Sequence, residues 1–289
     1  MLLELQRRIQ QKTNIFLKKE SVHSDSFFKI KRKRPHHMTI LISLYIFILG
    51  LVLGSFFNVV ALRVPAKQSI VRPPSACPSC QTQLKIRDLI PVFSYLLSRG
   101  SCRYCKSKVS ILYPIGELVT GLLFLWVYVH EGITGEALVG LVLVSLLVII
   151  TISDLTVMRI PNQVLMFFFP VFVVLRLVFP GGQAWWSYVL GAVIGCGIVV
   201  MISLLTRGGM GMGDAKLLLV CGFVVGLTPI LVAFVLACLI GSLVGGLLLL
   251  LNIIKRKQPV PFGPYLAVGI LISYGYGSDL IEAYLKLIG

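Results

Sequence analysis

Long apolar runs, few charges, and basic clusters confined to alternate connections predict an all-α polytopic membrane protein with about eight transmembrane helices. Of 289 residues 57% are hydrophobic and 13% charged, against roughly 45–50% apolar and about 25% charged in soluble domains. The mean hydropathy of +0.92 points the same way. A soluble globular protein is excluded, and so is a single anchor carrying a soluble enzyme. The runs are continuous rather than alternating at every second residue, which argues against a β-barrel. The net charge of +16 would suggest nucleic acid in a soluble domain. In a polytopic protein it means basic cytoplasmic loops, and no direct nucleic-acid partner is expected.

At about 20 residues per crossing, the spans fall at 40–62, 112–130, 137–153, 163–179, 187–205, 215–228, 229–254 and 264–285. The sixth is short and meets the seventh at Leu227-Thr228-Pro229, where a tight helical hairpin is expected rather than one broken crossing. Loop 63–111 holds nine Lys and Arg residues, 154–162 has Arg159, 206–216 has Arg207 and Lys216, and 255–257 reads Lys-Arg-Lys. His130 to Glu136 and Pro180 to Trp186 carry none. The rule that cytoplasmic loops are enriched in Lys and Arg therefore places the large loop in the cytoplasm. Residues 1–37 carry ten more basic residues on the side this topology puts outside. Translation from Met38 reconciles the two, and without a small-residue cleavage site 1–62 does not read as a removed signal peptide. The expected organisation is a basic extension over 1–38, a first helix over 39–62, a cytoplasmic cysteine loop over 63–111 and a membrane domain over 112–289.

The loop contains Cys77-Pro-Ser-Cys80 and Cys102-Arg-Tyr-Cys105, with 21 residues between the pairs. Two such knuckles can close four thiolates on one zinc ion, leaving no open position for catalysis, so the expected role is structural. Disulfides or a redox motif fit poorly in a reducing cytoplasm. Cys196, Cys221 and Cys238 lie inside spans, as small packing residues do.

A carboxylate at the bilayer centre costs roughly 2.5–3.5 kcal/mol on insertion scales, so acids on spans are functional candidates. Asp154 closes the third span, Asp214 opens the sixth, Glu117 begins the second, and Asp279 and Glu282 lie near the end of the eighth. Asp154 and Asp214 share the cytoplasmic depth. Two carboxyls brought together in a poorly hydrated site share a proton. The charged member can then take a proton from water while the other polarises a peptide carbonyl, which is direct hydrolysis. The simpler reading makes Asp154 a cap near Arg159 and Asp214 a helix-start acid with Lys216 snorkelling to the interface. The glycines of Gly208-Gly209-Met210-Gly211-Met212-Gly213-Asp214 allow close backbone approach to a substrate strand. Glu117 is open between a helix-start acid and a functional one, and Asp279 and Glu282 read as interfacial. Neither a Ser/His/Asp set nor a His-Glu-x-x-His motif is present. A carboxylate-dependent transporter and a zinc-knuckle scaffold are the alternatives. A proton relay needs acids at staggered depths, and a scaffold needs no paired acids.

The motifs in their order resemble the bacterial type IV prepilin peptidases. Gly54-Ser55-Phe56-Phe57-Asn58 with Arg63-Val64-Pro65 is similar to that family's first-span signature. Arg72 to Cys80, Asp88 to Pro91, Arg99 to Cys105 and Tyr113-Pro-Ile-Gly-Glu117 resemble its loop. Asp154 with Ile160-Pro161-Asn162, Gly211-Met-Gly213-Asp214-Ala-Lys216 and Pro261-Phe262-Gly263-Pro264 resemble its peptidase half. The resemblance implies a Gly-x-Gly-Asp aspartic protease with Asp154 and Asp214 as catalytic pair, and Gly211, Gly213, Lys216, Pro261 and Gly263 around them. It implies removal of the basic leader from prepilin or pseudopilin precursors, followed by N-methylation with S-adenosylmethionine. Arg99, Gly100 and Glu117 are its methylation-associated candidates, and Cys77, Cys80, Cys102 and Cys105 its metal ligands. The setting it implies is a bacterial inner membrane serving pilus, type II secretion or competence machinery. A loop of this size is too small for a Rossmann methyltransferase. The GxxxG pairs Gly50/Gly54, Gly191/Gly195, Gly222/Gly226 and Gly241/Gly245 are expected to serve helix packing.

Overall fold

The computed structural model describes residues 36–207, 209–255, 258 and 260–288. The expectation about the basic tail falls mainly on residues outside these. Residues 1–42 and 43–289 form separate units, and the contacts below belong to the second. Among the described residues eight long helices follow in order: α1 (His36–Arg63), α2 (Leu112–Glu131), α3 (Gly135–Val157), α4 (Asn162–Val178), α5 (Trp185–Leu205), α6 (Met212–Val225), α7 (Leu227–Leu250) and α8 (Gly263–Ile288). The chain is a multi-pass, all-α membrane protein. Among the described residues five helices, α1, α2, α3, α5 and α7, are long and apolar enough to cross a bilayer. α6 has 14 residues, about 21 Å at 1.5 Å per residue, which falls short of the ~30 Å hydrocarbon core.

The helices alternate in direction, so one end of the bundle gathers the end of α3 with the starts of α4, α6 and α8. There Lys216 of α6 reaches Asn162 of α4 at 3.0 Å, and the Gly263 amide at the start of α8 reaches Asp154 of α3 at 2.8 Å. The opposite end is closed by a buried cluster. Arg176 on α4, 3% exposed, pairs with Glu136 at 2.7 Å and donates through Nε to the Val224 carbonyl at 2.8 Å. Its guanidinium carbon lies 5.1 Å from the centre of the Tyr188 ring. α3 is the central helix, with Leu143, Val144, Leu146 and Ile150 fully buried.

The turn between the sixth and seventh helices is at Gly226, not at Leu227-Thr228-Pro229. Gly226 has φ +88°, a conformation that favours glycine. Pro229 sits in the first turn of α7, where a missing N–H leaves no bond unmade. The hairpin itself forms as expected. A Cβ at Gly191 of α5 would meet Gly222 and Gly226, and one turn along, Gly195 faces Leu218 and Ile230. α6 and α7 therefore both run back from the turn along α5. Close backbone approach also joins α1 to α2: a Cβ on Gly50 would stand 2.8 Å from the Gly121 Cα, and one on Gly54 2.9 Å from the Glu117 Cα.

Overpacking such a contact costs about 1–3 kcal/mol. Gly222→Ala, whose added carbon overlaps the Gly191 carbonyl, is expected to lower the melting temperature of the detergent-solubilised protein by several degrees. Gly245→Ala, with nothing within 4 Å of its added carbon, is expected to leave it unchanged.

Candidate active site

α3 runs on through Asp154 and ends in Met158, whose left-handed backbone (φ +50°) turns the chain toward Arg159. Ser153 Oγ donates to the Arg159 carbonyl at 2.7 Å and fixes that turn. α6 begins at Met212 with Gly211 as its cap, which puts Asp214 in its first turn, its amide bonded to the Gly211 carbonyl at 3.1 Å. The two segments interlock. Gly213 packs so close to Ile160 that a Cβ on it would fall 3.0 Å from the Ile160 Cβ. Lys216 is exposed, and its ammonium donates to Asn162 at 3.0 Å.

This interlock brings Asp154 and Asp214 within Coulombic range of each other, and both are buried, 7% and 8% exposed. Asp154 Oδ2 accepts the Gly263 N–H, and a Cβ on Gly263 would fall 2.8 Å from that oxygen. Gly211 faces Asp214 Oδ2 in the same way, at 3.1 Å. Of the residues expected around the aspartates, Gly211 and Gly263 face the carboxyls, Gly213 packs on Ile160, Lys216 bonds Asn162, and Pro261 lies two residues before Gly263. Two carboxyls at one buried site, each faced by glycine, allow a peptide backbone to approach them closely.

The cysteine loop forms a second site at the same end. The two knuckles repeat one pattern: Cys77 and Cys102 donate N–H to Thr82 and Ser107 at 3.0 and 2.8 Å, and their carbonyls accept from Gln81 and Lys106 at 2.8 and 2.9 Å. The four Sγ atoms of Cys77, Cys80, Cys102 and Cys105 lie within 4.8 Å of one another. Cys77 and Cys105 are 3.7 Å apart, close to the ~3.8 Å edge of a tetrahedron with 2.3 Å zinc–sulfur bonds. The amide of Cys80, the Ser107 hydroxyl and the amide of Ser79 pull the Cys77 thiol down to about 6, which favours the thiolate that binds metal.

Glu117 is 8% exposed and is more than a helix-start acid. Its Oε2 accepts the Val92 N–H at 2.7 Å, tying the loop to α2. Asp88 takes the Tyr104 hydroxyl at 3.0 Å and lies 3.3 Å from Arg103. Between α1, the start of α2 and the loop is a cavity of about 570 Å³, lined by Asn58, Asp88, Tyr95, Tyr104, Tyr113 and Glu117 among others. Of the three methylation candidates only Glu117 lines it. Gly100 (φ +69°) backs Tyr95, and Arg99 is exposed. The sequence did not single out Ser153, whose hydroxyl holds the turn after Asp154, and it offered Asn162, which holds Lys216, only within the Ile160-Pro161-Asn162 resemblance. The one signal for Ser153 is polarity at the edge of an apolar run.

A model of the bacterial peptidase A24 N-terminal domain matches residues 48–131, and one of the type IV leader peptidase family matches 141–246. The prepilin leader peptidase/N-methyltransferase of Bacillus subtilis is 39% identical over 242 residues, covering 84% of this chain and 97% of that protein. The chain belongs to this family. The proteins of the same description in Xanthomonas campestris and Pseudomonas aeruginosa are 32% and 30% identical, covering 83% and 84% of this chain and 93% of each of theirs. No solved structure matches the chain significantly. The two family models divide the site: the N-terminal one holds the cysteines and Glu117, and the peptidase one holds both aspartates.

The Gly213–Ile160 contact is testable by cross-linking, since Cβ atoms 3.0 Å apart need to part by only about half an ångström to reach the roughly 3.5–4.5 Å of a disulfide. With both replaced by cysteine, oxidation in membranes is expected to join α3–α4 to α6. The readout is a reducible link between fragments after proteolytic nicking in 180–186. Failure to cross-link would contradict the interlock.

Proposed function

We propose that the chain is an aspartic endopeptidase that removes the basic leader from type IV prepilin-like precursors and then N-methylates the new N-terminal residue with S-adenosylmethionine. The observation that carries this reading is the pairing of Asp154 and Asp214, one from the end of α3 and one from the first turn of α6, at one buried site. One carboxylate takes a proton from a water molecule while the other, protonated, donates to the scissile carbonyl; the attack of that water needs no covalent intermediate. Gly263 N–H holds one oxygen of Asp154 in place. α6 is too short to cross the hydrocarbon core unaided. This depth suits a substrate whose cleaved bond precedes a hydrophobic helix.

The nine Lys and Arg of loop 63–111 support a cytoplasmic position for this end by the positive-inside rule, in the inner membrane of a bacterium. The partners are prepilins or pseudopilins, and through them pilus, secretion or DNA-uptake machinery. A proton-relaying transporter fits less well, because both aspartates occupy the same end of the bundle.

Zinc fits the four thiolates: a closed tetrahedral set without an open position serves structure, not Lewis-acid catalysis. Cys77, Cys80, Cys102 and Cys105 would hold it and so pin the two knuckles together beneath the cavity. Metal analysis of the purified protein is expected to give one zinc per chain, and Cys77→Ser with Cys102→Ser none.

For the peptidase, Asp154→Asn and Asp214→Asn are each expected to lower leader cleavage by at least about 10²–10⁴-fold, the range of a lost acid or base, at wild-type expression and insertion. Cleavage by either at the wild-type rate would remove that residue from the catalytic pair. Gly263→Ala, whose methyl group displaces Asp154 Oδ2, is expected to lower the rate with little change in melting temperature.

A further inference from the structure

A loop that stands in water turns its apolar side chains inward and its polar ones outward. Residues 86–97 of the cysteine loop do the reverse. Ile86, Ile90, Phe93, Leu96 and Leu97 are each between 46% and 87% exposed, while Asp88, Ser94, Tyr95 and Ser98 line the cavity shared with Ser55 and Asn58 of α1. Ile86, Ile90, Phe93 and Leu97 follow one another at steps of four, three and four, the spacing of a single helical face. The backbone keeps them on one side although it is broken into a 3₁₀ turn (Ile86–Asp88) and a five-residue helix (Phe93–Leu97). A contiguous apolar surface of this kind, bordered by polar residues, marks a contact with something other than water.

The depth of the segment indicates what that contact is. The Val92 amide is bonded to Glu117 in the second turn of α2, and Glu117 lies against Gly54 of α1, where a Cβ would fall 2.9 Å from the Glu117 Cα. Gly54 is nine residues inside the end of α1 at Arg63, about 13 Å along the axis at 1.5 Å per residue. A glutamate side chain does not span that distance, so the segment folds back beside the last turns of α1 and the first turns of α2. Both are helices long and apolar enough to cross a bilayer, and Ile115, Leu118 and Val119 of α2 are exposed at the same level.

The charges around the face fit a bilayer surface. Lys85 and Arg87 border its start and Arg99 its end, all of them exposed. Across 63–111 nine Lys and Arg stand against one acid, Asp88, which turns toward the cavity. Apolar residues with basic neighbours are the pattern of segments that lie in the membrane interface, where the basic groups meet anionic headgroups. A basic leader peptide would be repelled by the same border.

We propose that the outward face of residues 86–97 is seated in the bilayer interface on the loop's side, with Ile86, Ile90, Phe93, Leu96 and Leu97 among the upper acyl chains, and that this seat anchors the cysteine loop to the membrane surface. The segment then has two holds, the Glu117 bond to α2 on one side and lipid on the other. The basic residues at its two ends set its depth by staying with the headgroups.

The test uses the full chain in nanodiscs of phosphatidylcholine and phosphatidylglycerol, with Phe93 replaced by trifluoromethyl-phenylalanine. Fluorine relaxation is read against two paramagnetic agents, a spin label high on the lipid acyl chain and a water-soluble gadolinium chelate. The lipid label is expected to relax the fluorine severalfold more than the chelate does. Relaxation chiefly by the chelate would overturn the proposal, because the face would then lie in water. Relaxation by neither would also overturn it, because protein would then cover the face. Leu96→Asp with Leu97→Asp, at an unchanged melting temperature in detergent, is expected to reverse the ratio. If lipid relaxation still dominates in that variant, the apolar face does not hold the segment at the membrane and the anchoring role fails.

Discussion

The hydrogen bond from the Gly263 amide to Asp154 Oδ2 is the constraint around which the aspartate end of this bundle is built. A carboxylate near the end of a buried helix needs a donor, and few are available where hydrocarbon gives way to water. The chain supplies a main-chain N–H from the start of α8, more than a hundred residues away in sequence. Using the backbone keeps the approach open only if no side chain intrudes, and glycine at 263 meets that condition. Gly211 beside Asp214 does the same for the second carboxyl. The sequence between them is then free to fold as an ordinary hairpin of membrane helices, with its own close glycine contact between α5 and α6.

Much of this architecture was legible because membrane spans advertise themselves. Continuous apolar runs located all eight helices to within a few residues, and Cys77 to Cys105 declared a metal-type cluster by spacing. What hydropathy could not see was polar detail at helix ends. α6 starts at Met212 rather than 215, because two glycines and Asp214 interrupt the apolar run there while the backbone is already helical. The turn at Gly226 was misplaced by one to three residues, because Pro229 reads as a breaker unless it is known to occupy a first helical turn. Arg176 passed unnoticed inside an apolar run. Its partner Glu136 is 40 residues away in sequence, so only packing reveals the pair. Removing one member of such a buried pair costs about 3–5 kcal/mol, which explains how the end of the bundle opposite the aspartates is held shut.

The two family models correspond to two physical sites that share one end of the bundle. α3 contributes one of the paired aspartates, while α1 and α2 carry the loop with the cysteine cluster. Glu117 links them, buried in α2 yet bonded to the loop backbone at Val92, whose φ of +61° such a bond helps to hold. Among the methylation candidates the sequence offered, geometry separates Glu117 in the cavity wall from Gly100 behind it and from Arg99 outside. A resemblance could not make that separation.

The central claim is that Asp154 and Asp214 act as one unit, and its most direct measurement is single-turnover leader cleavage by the Asp154→Asn, Asp214→Asn and double variants in the same nanodiscs. Residues that act together lose their effect together. The account predicts that the double variant is no slower than the slower single one. Effects of the two substitutions that multiply in the double variant would mean that the carboxyls work independently, and would contradict it.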